Sequence, residues 1–150
     1  MPHCITRPLR RLLRLVGDFV EAHGIGTVMF APFDVVYSAH DVLEPDLVVL
    51  PAPVSTLGTH WNGAAMPPTL VVEIVSPSSR ARDYRRKRDF YVAGHAQEYW
   101  IVDPATRMVT VVRPGANDQP ETTRLEWHPA AAAAPFTLDI VALFAGLPQV

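Results

Sequence analysis

Two nearly continuous aliphatic runs constrain the fold of this chain more than any other feature. They occupy residues 46–50 and 69–75 and read DLVVL and TLVVEIV. Because successive side chains of a strand point to opposite faces, an unbroken apolar run fits a strand that is covered on both faces. The two runs therefore predict the centre of a sheet with other layers packed on either side.

The segments around these runs predict helices and further strands. Apolar residues recur at helical spacing over residues 5–23, before Gly24, and predict an amphipathic helix. A second helix is expected at about residues 80–93, between the turn and capping residues 76–79 and Gly94. Further strands are expected at 27–30, 33–38, 99–102, 108–113 and 122–127, a loop at 51–68, a spacer at 130–134 and a short closing helix at 138–144. This order predicts an α/β (α+β) fold, a mixed central β-sheet flanked by helices, in a single domain over residues 1–150.

Composition excludes several classes of protein. The chain is 49% hydrophobic and 19% charged, which excludes a disordered chain, and its single cysteine excludes a disulfide scaffold. No apolar run approaches the roughly 18 residues of a membrane span, so we expect a cytoplasmic protein without membrane contact. The basic start, with Arg7, Arg10, Arg11 and Arg14, has the composition of a transit peptide, but its helical apolar spacing favours a core helix.

One acidic residue interrupts the second aliphatic run. Glu73 lies inside residues 69–75, where every neighbour favours burial. A buried ionised carboxylate is very unfavourable without a cation, hydrogen bonds or a raised pKa, so Glu73 is a candidate site residue. A place near the strand end, solvated or paired to an arginine, would explain the same pattern without a function.

Asp46 gives Glu73 a potential partner, although Pro45-Asp46 is also a common entry to a turn. If the two strands pair, the carboxylates converge within about 4–5 Å. Such oxygen ligands suit Mg²⁺ or Mn²⁺, and the carbonyl of Ile74 would complete a three-point metal site. Paired carboxylates also serve glycoside hydrolysis, but the nearby helix offers cations rather than aromatic platforms for a sugar.

The second predicted helix carries the densest positive charge in the chain. Residues 80–89 hold six cations and two acids. Tyr84, Lys87 and Tyr91 are spaced to share one face, with Asp83 at its edge, and a face turned toward the sheet would direct Lys87 at the carboxylates. Its ammonium would there orient a water or stabilise the transition-state phosphate. A solvated helix face explains most of the arginines equally well, while a phosphate backbone is the functional alternative.

These motifs together resemble the Uma-two (Uma2) family of restriction-endonuclease-like proteins. The resemblance covers about residues 2–113. It rests on Pro45-Asp46, the stretch 72–78 (VEIVSPS), Asp83, Lys87, Tyr91 and the stretch 98–104 (EYWIVDP).

Membership in that family implies the PD-(D/E)xK nuclease fold and Mg²⁺- or Mn²⁺-dependent hydrolysis of DNA phosphodiester bonds. By position, Asp46 and Glu73 correspond to the metal-binding pair. The superfamily lysine lies two residues after the acid, where this chain has Val75, and the family is thought to carry that lysine on the next helix, at Lys87. The expected catalytic residues are thus Asp46, Glu73 and Lys87, and the expected metal ligands are Asp46, Glu73 and Ile74. Arg82, Arg85 and Arg86 are the expected DNA contacts.

Three functions follow from these observations. The first is a homodimeric DNA endonuclease, since one site cuts one strand. The second is a catalytically inactive nuclease-fold protein that binds nucleic acid or protein. The third is an enzyme that uses the same carboxylates on another phosphoester or on a glycoside. Relatives usually carry a further amino-terminal segment, and we expect this chain to lack it, because it begins close to where that segment would end.

Overall fold

The computed structural model describes residues 2–76 and 82–149. In chain order its helices and strands are α1 (Pro2–His23), β1 (Thr27–Phe30), β2 (Asp34–Val36), β3 (Val42–Leu43), β4 (Leu47–Leu50), β5 (His60–Asn62), β6 (Leu70–Ile74), α2 (Arg82–Phe90), β7 (Tyr99–Asp103), β8 (Met108–Val112), β9 (Gln119–Glu121), β10 (Arg124–Trp127), β11 (Phe136–Asp139) and α3 (Ile140–Leu143). A 3₁₀ turn lies at Val54–Thr56, and a π-helical turn at Tyr91–His95 continues α2.

The first helix forms because its apolar residues fall on one face. Leu12, Val16 and Val20 are buried in the core. Pro8 is tolerated in the second turn, although it removes one backbone donor. The helix ends before Gly24, which has φ 60°, a conformation that glycine adopts without strain. The prediction of an amphipathic core helix is therefore confirmed, and the backbone of the helix begins at Pro2.

The central sheet has the strand order β1-β4-β6-β7-β8-β9. Only β6 and β7 are parallel, and every other neighbouring pair is antiparallel. Every residue of β4 and β6 is buried, as the continuous aliphatic runs predict. The predicted mixed sheet between flanking layers is confirmed, with β4 and β6 as neighbours inside it.

Each face of the sheet supports its own core. The first core lies under α1, α3 and the β10–β11 hairpin, and it holds Trp100 and Trp127. The second lies under α2 and a small sheet of order β3-β2-β5, and it holds Tyr37, Tyr91 and Tyr99. The Tyr37 hydroxyl donates to the carbonyl of His95 at 2.7 Å, which joins the small sheet to the end of α2.

The sequence missed four strands, namely β11 and the shorter β3, β5 and β9. β5 pairs in parallel with β2 inside residues 51–68, which were expected to be a loop, and β3 pairs antiparallel with β2. β9 contains Pro120 and lies at the edge of the central sheet, where a missing backbone donor is tolerated. Strands of two or three residues are too short to show a periodicity. The strand predicted at 33–38 is real but confined to Asp34–Val36.

The closing helix predicted at 138–144 is wrong over its first two residues. Leu138 belongs to β11, which pairs with β10, and the helix α3 covers only Ile140–Leu143. The side chain of Asp139 accepts a hydrogen bond from the backbone N–H of Ala142 at 3.0 Å and so caps this helix. The spacer predicted at 130–134 is neither helix nor strand. The capping residues 77–79 and the start of the second predicted helix, 80–81, lie outside the described residues.

Candidate active site

The strand pairing brings the two predicted acids together. β4 runs antiparallel to β6 with Leu47 opposite Val72, so Asp46 reaches the end of β6 that carries Glu73. The backbone N–H of Ile74 donates to Asp46 Oδ2 at 2.7 Å, which fixes the Asp46 carboxylate against β6. The two acids therefore lie opposite each other where the start of β4 meets the end of β6.

Alternation along β6 decides which face the site uses. Leu70, Val72 and Ile74 belong to the first core, whereas Val71 belongs to the second. Glu73 therefore points to the second face, toward α2. Glu73 is buried there, with 7% of the residue exposed. Burial raises the pKa of Glu73 to about 7, nearby Lys87 opposes this rise, and the negative charge of Asp46 adds to it.

Lys87 reaches the carboxylates from α2. Its Nζ lies 3.3 Å from Glu73 Oε1, and its side chain is 30% exposed. This contact confirms that the helix face with Tyr84, Lys87 and Tyr91 turns toward the sheet, because Tyr84 and Tyr91 also pack in the second core. Lys87 is the one lysine of the sequence, and the other 12 of its 13 Lys and Arg side chains are arginine.

The oxygen atoms where β4 meets β6 fit a divalent cation. The charge of Asp46 acts on Glu73, and Glu73 Oε1 has no hydrogen bond of good geometry. In β6 the N–H groups of Val71 and Val75 donate to β7, so the alternating Ile74 faces β4, and its carbonyl points the same way as its N–H. Mg²⁺ prefers one or two carboxylates and otherwise keeps waters. Within residues 2–76 and 82–149, no cluster of three or more His, Cys, Asp or Glu side chains suited to a metal occurs.

Two of the three predicted nucleic-acid contacts have exposed side chains on the same helix. Arg85 and Arg86 are exposed. The backbone of Arg82 belongs to α2, but its side chain, like that of Asp83, is outside the described residues. Arg88 is different, because its guanidinium binds both oxygens of Asp118, with Nη2 at 2.9 Å from Oδ1, and anchors α2 to the β8–β9 loop.

The sequence analysis named two further buried polar residues only as members of a helix face or of the family motif, without a role of their own. Tyr91 is buried one helical turn after Lys87, and Glu98 is buried directly before β7. Glu98 Oε1 lies 2.7 Å from Arg113 Nη2, and burial raises the pKa of Glu98 to about 7 against the opposing effect of Arg113. The sequence feature that could have identified Glu98 is an acidic residue beside a strongly apolar strand, which is also the feature that identified Glu73.

The arrangement is that of a nuclease-fold protein, with a mixed sheet, two acids on neighbouring inner strands and a lysine from the following helix. A family model described as "Putative restriction endonuclease" matches residues 6–140, and the chain belongs to that family, Uma2. The sequence resemblance is thereby confirmed. No curated protein matches the chain.

A solved structure supports the fold independently. It is described as "a putative nuclease belonging to DUF820 from Anabaena variabilis ATCC 29413". The two share 18% sequence identity with a TM-score of 0.77, and the match covers 95% of this chain and 80% of the other. At this identity the likeness establishes the fold. Within the described residues, no helix is long and apolar enough to cross a bilayer.

Proposed function

We propose that this chain is an Mg²⁺- or Mn²⁺-dependent endonuclease that hydrolyses DNA phosphodiester bonds. The observation that carries the proposal is the convergence of Asp46, Glu73 and Lys87 where the start of β4 meets the end of β6. The ammonium lies 3.3 Å from the Glu73 carboxylate. Membership in the Uma2 family supports the same reaction class.

Each residue has a distinct role in this proposal. Asp46 and Glu73 supply carboxylate oxygens to the cation, and the carbonyl of Ile74 completes the set. A bound divalent cation supplies an activated water and stabilises the leaving oxygen. Lys87 holds its positive charge beside the carboxylates, from where it orients the attacking water or stabilises the charge that develops on the phosphate.

The substrate is proposed to lie along α2. Arg82, Arg85 and Arg86 would contact its phosphates, because they belong to the same helix as Lys87 and because arginine binds phosphate oxygens in a bidentate manner. Cleavage of both strands of a duplex needs two such sites, which favours a homodimer. The single cysteine, Cys4, suits the reducing cytoplasm that we propose as its location.

Cleavage assays with matched variants test this function. We expect the wild type to cut DNA in Mg²⁺ or Mn²⁺ and not in chelator, and Glu73→Gln to lower the rate by at least about 10³-fold, since it removes a ligand charge. Glu126→Gln is the control, because Glu126 is an exposed acid on β10, and it should cut like the wild type. Supercoiled, linear and single-stranded DNA should be tried with both metals.

The same assays separate the alternatives. If no DNA form is cut while DNA binding persists in Glu73→Gln, the endonuclease proposal is wrong, and a non-catalytic binding protein is the better description. Metal-dependent turnover of another phosphoester, without DNA cleavage, would also contradict it.

A further inference from the structure

The hydroxyl of Tyr91 is a buried polar group that forms no hydrogen bond in the described core. Tyr91 is 1% exposed, and within the described part of the chain its hydroxyl has no hydrogen-bond partner. Buried hydroxyl groups in proteins are almost always hydrogen-bonded, so an exception calls for an explanation. Phenylalanine would fill the same space without this cost, so the ring alone does not explain the residue.

The position of Tyr91 ties it to the carboxylate site. It follows Lys87 by four residues, so the two side chains leave α2 on the same face. Tyr91 opens the π-helical turn that ends this helix, and its ring lies 4.5 Å from the ring of Tyr99 on β7, the strand beside β6. Burial, and then the charges of Tyr37, Glu73 and Tyr99, raise the pKa of the Tyr91 hydroxyl, so Glu73 belongs to the same buried region as this hydroxyl.

This region contains a hydroxyl donor and a carboxylate acceptor, and among the described residues neither the Tyr91 hydroxyl nor Glu73 Oε1 has a hydrogen-bond partner. Glu73 Oε1 lies 3.3 Å from the ammonium of Lys87 and has no hydrogen bond of good geometry, and the other neighbour of this carboxyl group is the acid Asp46. A phenol donates one hydrogen bond, and a carboxylate accepts several. When Lys87 turns toward a substrate phosphate, Glu73 loses its nearest donor. The buried donor that remains on the same helix face is the hydroxyl of Tyr91.

We infer that Tyr91 is a positioning residue, whose hydroxyl donates a hydrogen bond to the Glu73 carboxylate when the site is loaded and so orients that carboxylate for the cation. The inference rests on the proposed function. Catalytic hydrogen bonds are often long or unformed without ligand, which agrees with the unpaired hydroxyl of this structure. Tyr91 touches neither substrate nor metal, and it acts through Glu73.

Tyr91→Phe tests the inference because it removes only the hydroxyl. Mn²⁺ binding to the full chain without DNA, measured by electron paramagnetic resonance, should weaken by about 10-fold, the lower end of the range for partners that orient metal ligands. The rate of DNA cleavage should fall by a similar factor at limiting metal and recover partly at high metal. The thermal midpoint in chelator should stay unchanged or rise, since an unpaired buried hydroxyl is lost.

Tyr37→Phe is the matched control. Its hydroxyl lies in the same core but already donates to the carbonyl of His95. It should lower the thermal midpoint and leave Mn²⁺ affinity at the wild-type value. Equal Mn²⁺ affinity in Tyr91→Phe and the wild type would overturn the inference. Failure of the wild type itself to bind Mn²⁺ would instead overturn the proposed function.

Discussion

At the scale of single residues, Glu73 illustrates how a functional group opposes stability. The aliphatic strand around it forces the carboxylate into the protein, and burial raises its pKa to about 7 from an ordinary value near 4.5. Lys87 offsets part of the cost, but a pair at 3.3 Å with a partly exposed lysine does not remove it. An apolar residue here would avoid this cost, which agrees with the catalytic role proposed for the pair.

The stability of Glu73 and Lys87 variants should show this conflict directly. A raised carboxyl pKa contributes stability that is present below about pH 4.5 and is lost as the pH rises through about 7. In chelator at pH 8, Glu73→Gln should therefore be more stable than the wild type by about 1–3 kcal/mol. Lys87→Met should be less stable by about 1–2 kcal/mol, because it leaves the carboxylate without a cation.

Urea denaturation at pH 5 and pH 8 measures both effects, and the double variant completes the cycle. Glu21→Gln, an exposed acid on α1, is the control and should change neither value by more than about 0.5 kcal/mol. A Glu73→Gln protein that is less stable than the wild type at pH 8 would contradict the idea that burial of this charge is costly.

Position 87 holds a lysine in a chain whose other Lys and Arg positions are all arginine. Arginine supplies all 12 other positive side chains of the Lys and Arg set, so a general preference for lysine does not explain Lys87. Lysine is a compact point charge on a flexible stem, whereas the guanidinium is a broad planar fork. A compact ammonium fits beside Glu73 and can turn to a phosphate.

At the scale of elements, α2 and the strands around it are held by a few long-range polar contacts. Arg88 binds Asp118 in the β8–β9 loop, and Tyr37 binds the carbonyl of His95 at the end of the helix. On the other face, Glu98 pairs with Arg113 and fixes the start of β7 against the end of β8. These contacts connect the elements that carry the site to their neighbours in the fold.

Replacement of Glu98 by glutamine should flatten the pH dependence of stability. Burial raises the pKa of Glu98 to about 7, so its contribution to stability is lost as the pH rises from about 4.5 through 7. The wild type should lose about 2–3 kcal/mol of unfolding free energy over this range at Glu98, and Glu98→Gln should not. Arg113 is 39% exposed and remains solvated without its partner.

Urea midpoints between pH 4.5 and 8 provide the measurement. Glu126→Gln serves as the control, since Glu126 is an exposed neighbour of the Arg113 side. A Glu98→Gln protein with the wild-type slope would show that the Arg113 pair already stabilises the charged form fully.

At the scale of the whole molecule, the central sheet separates two positive surfaces. α1 covers the first core, with Arg10 and Arg14 exposed, and α2 covers the second core beside the carboxylates, with Arg85 and Arg86 exposed. The net charge is −2, so attraction to DNA depends on where these cations lie.

The proposed substrate path makes the two surfaces unequal. Arg85→Ala with Arg86→Ala should weaken DNA binding at low salt and reduce the slope of log K against log salt by about 2, one for each lost phosphate contact. Arg10→Ala with Arg14→Ala removes the same charge from the far face and should leave the slope unchanged. Fluorescence anisotropy over a salt series, with chelator to prevent cleavage, measures both. Equal slopes for the two double variants would place the DNA elsewhere.

The sequence by itself determined the elements whose pattern is long and regular. The continuous aliphatic runs of β4 and β6 and the helical apolar spacing of α1 are long enough to predict these elements, and Glu73 stood out because it interrupts one of the runs. The short strands β3, β5 and β9 have no such pattern, because their residues pair only once their partners are in place.

Tertiary structure alone decided which polar groups meet. Asp46 reaches Glu73 because β4 and β6 are antiparallel in one register, and a shift of one residue would turn Glu73 to the other face. Tyr91 and Glu98 resemble ordinary residues beside apolar segments, and only burial shows that each carries an unusual polar group. Preferences for helix or strand depend on residues that are neighbours in sequence. Desolvation and charge pairing depend instead on distances between segments far apart in sequence.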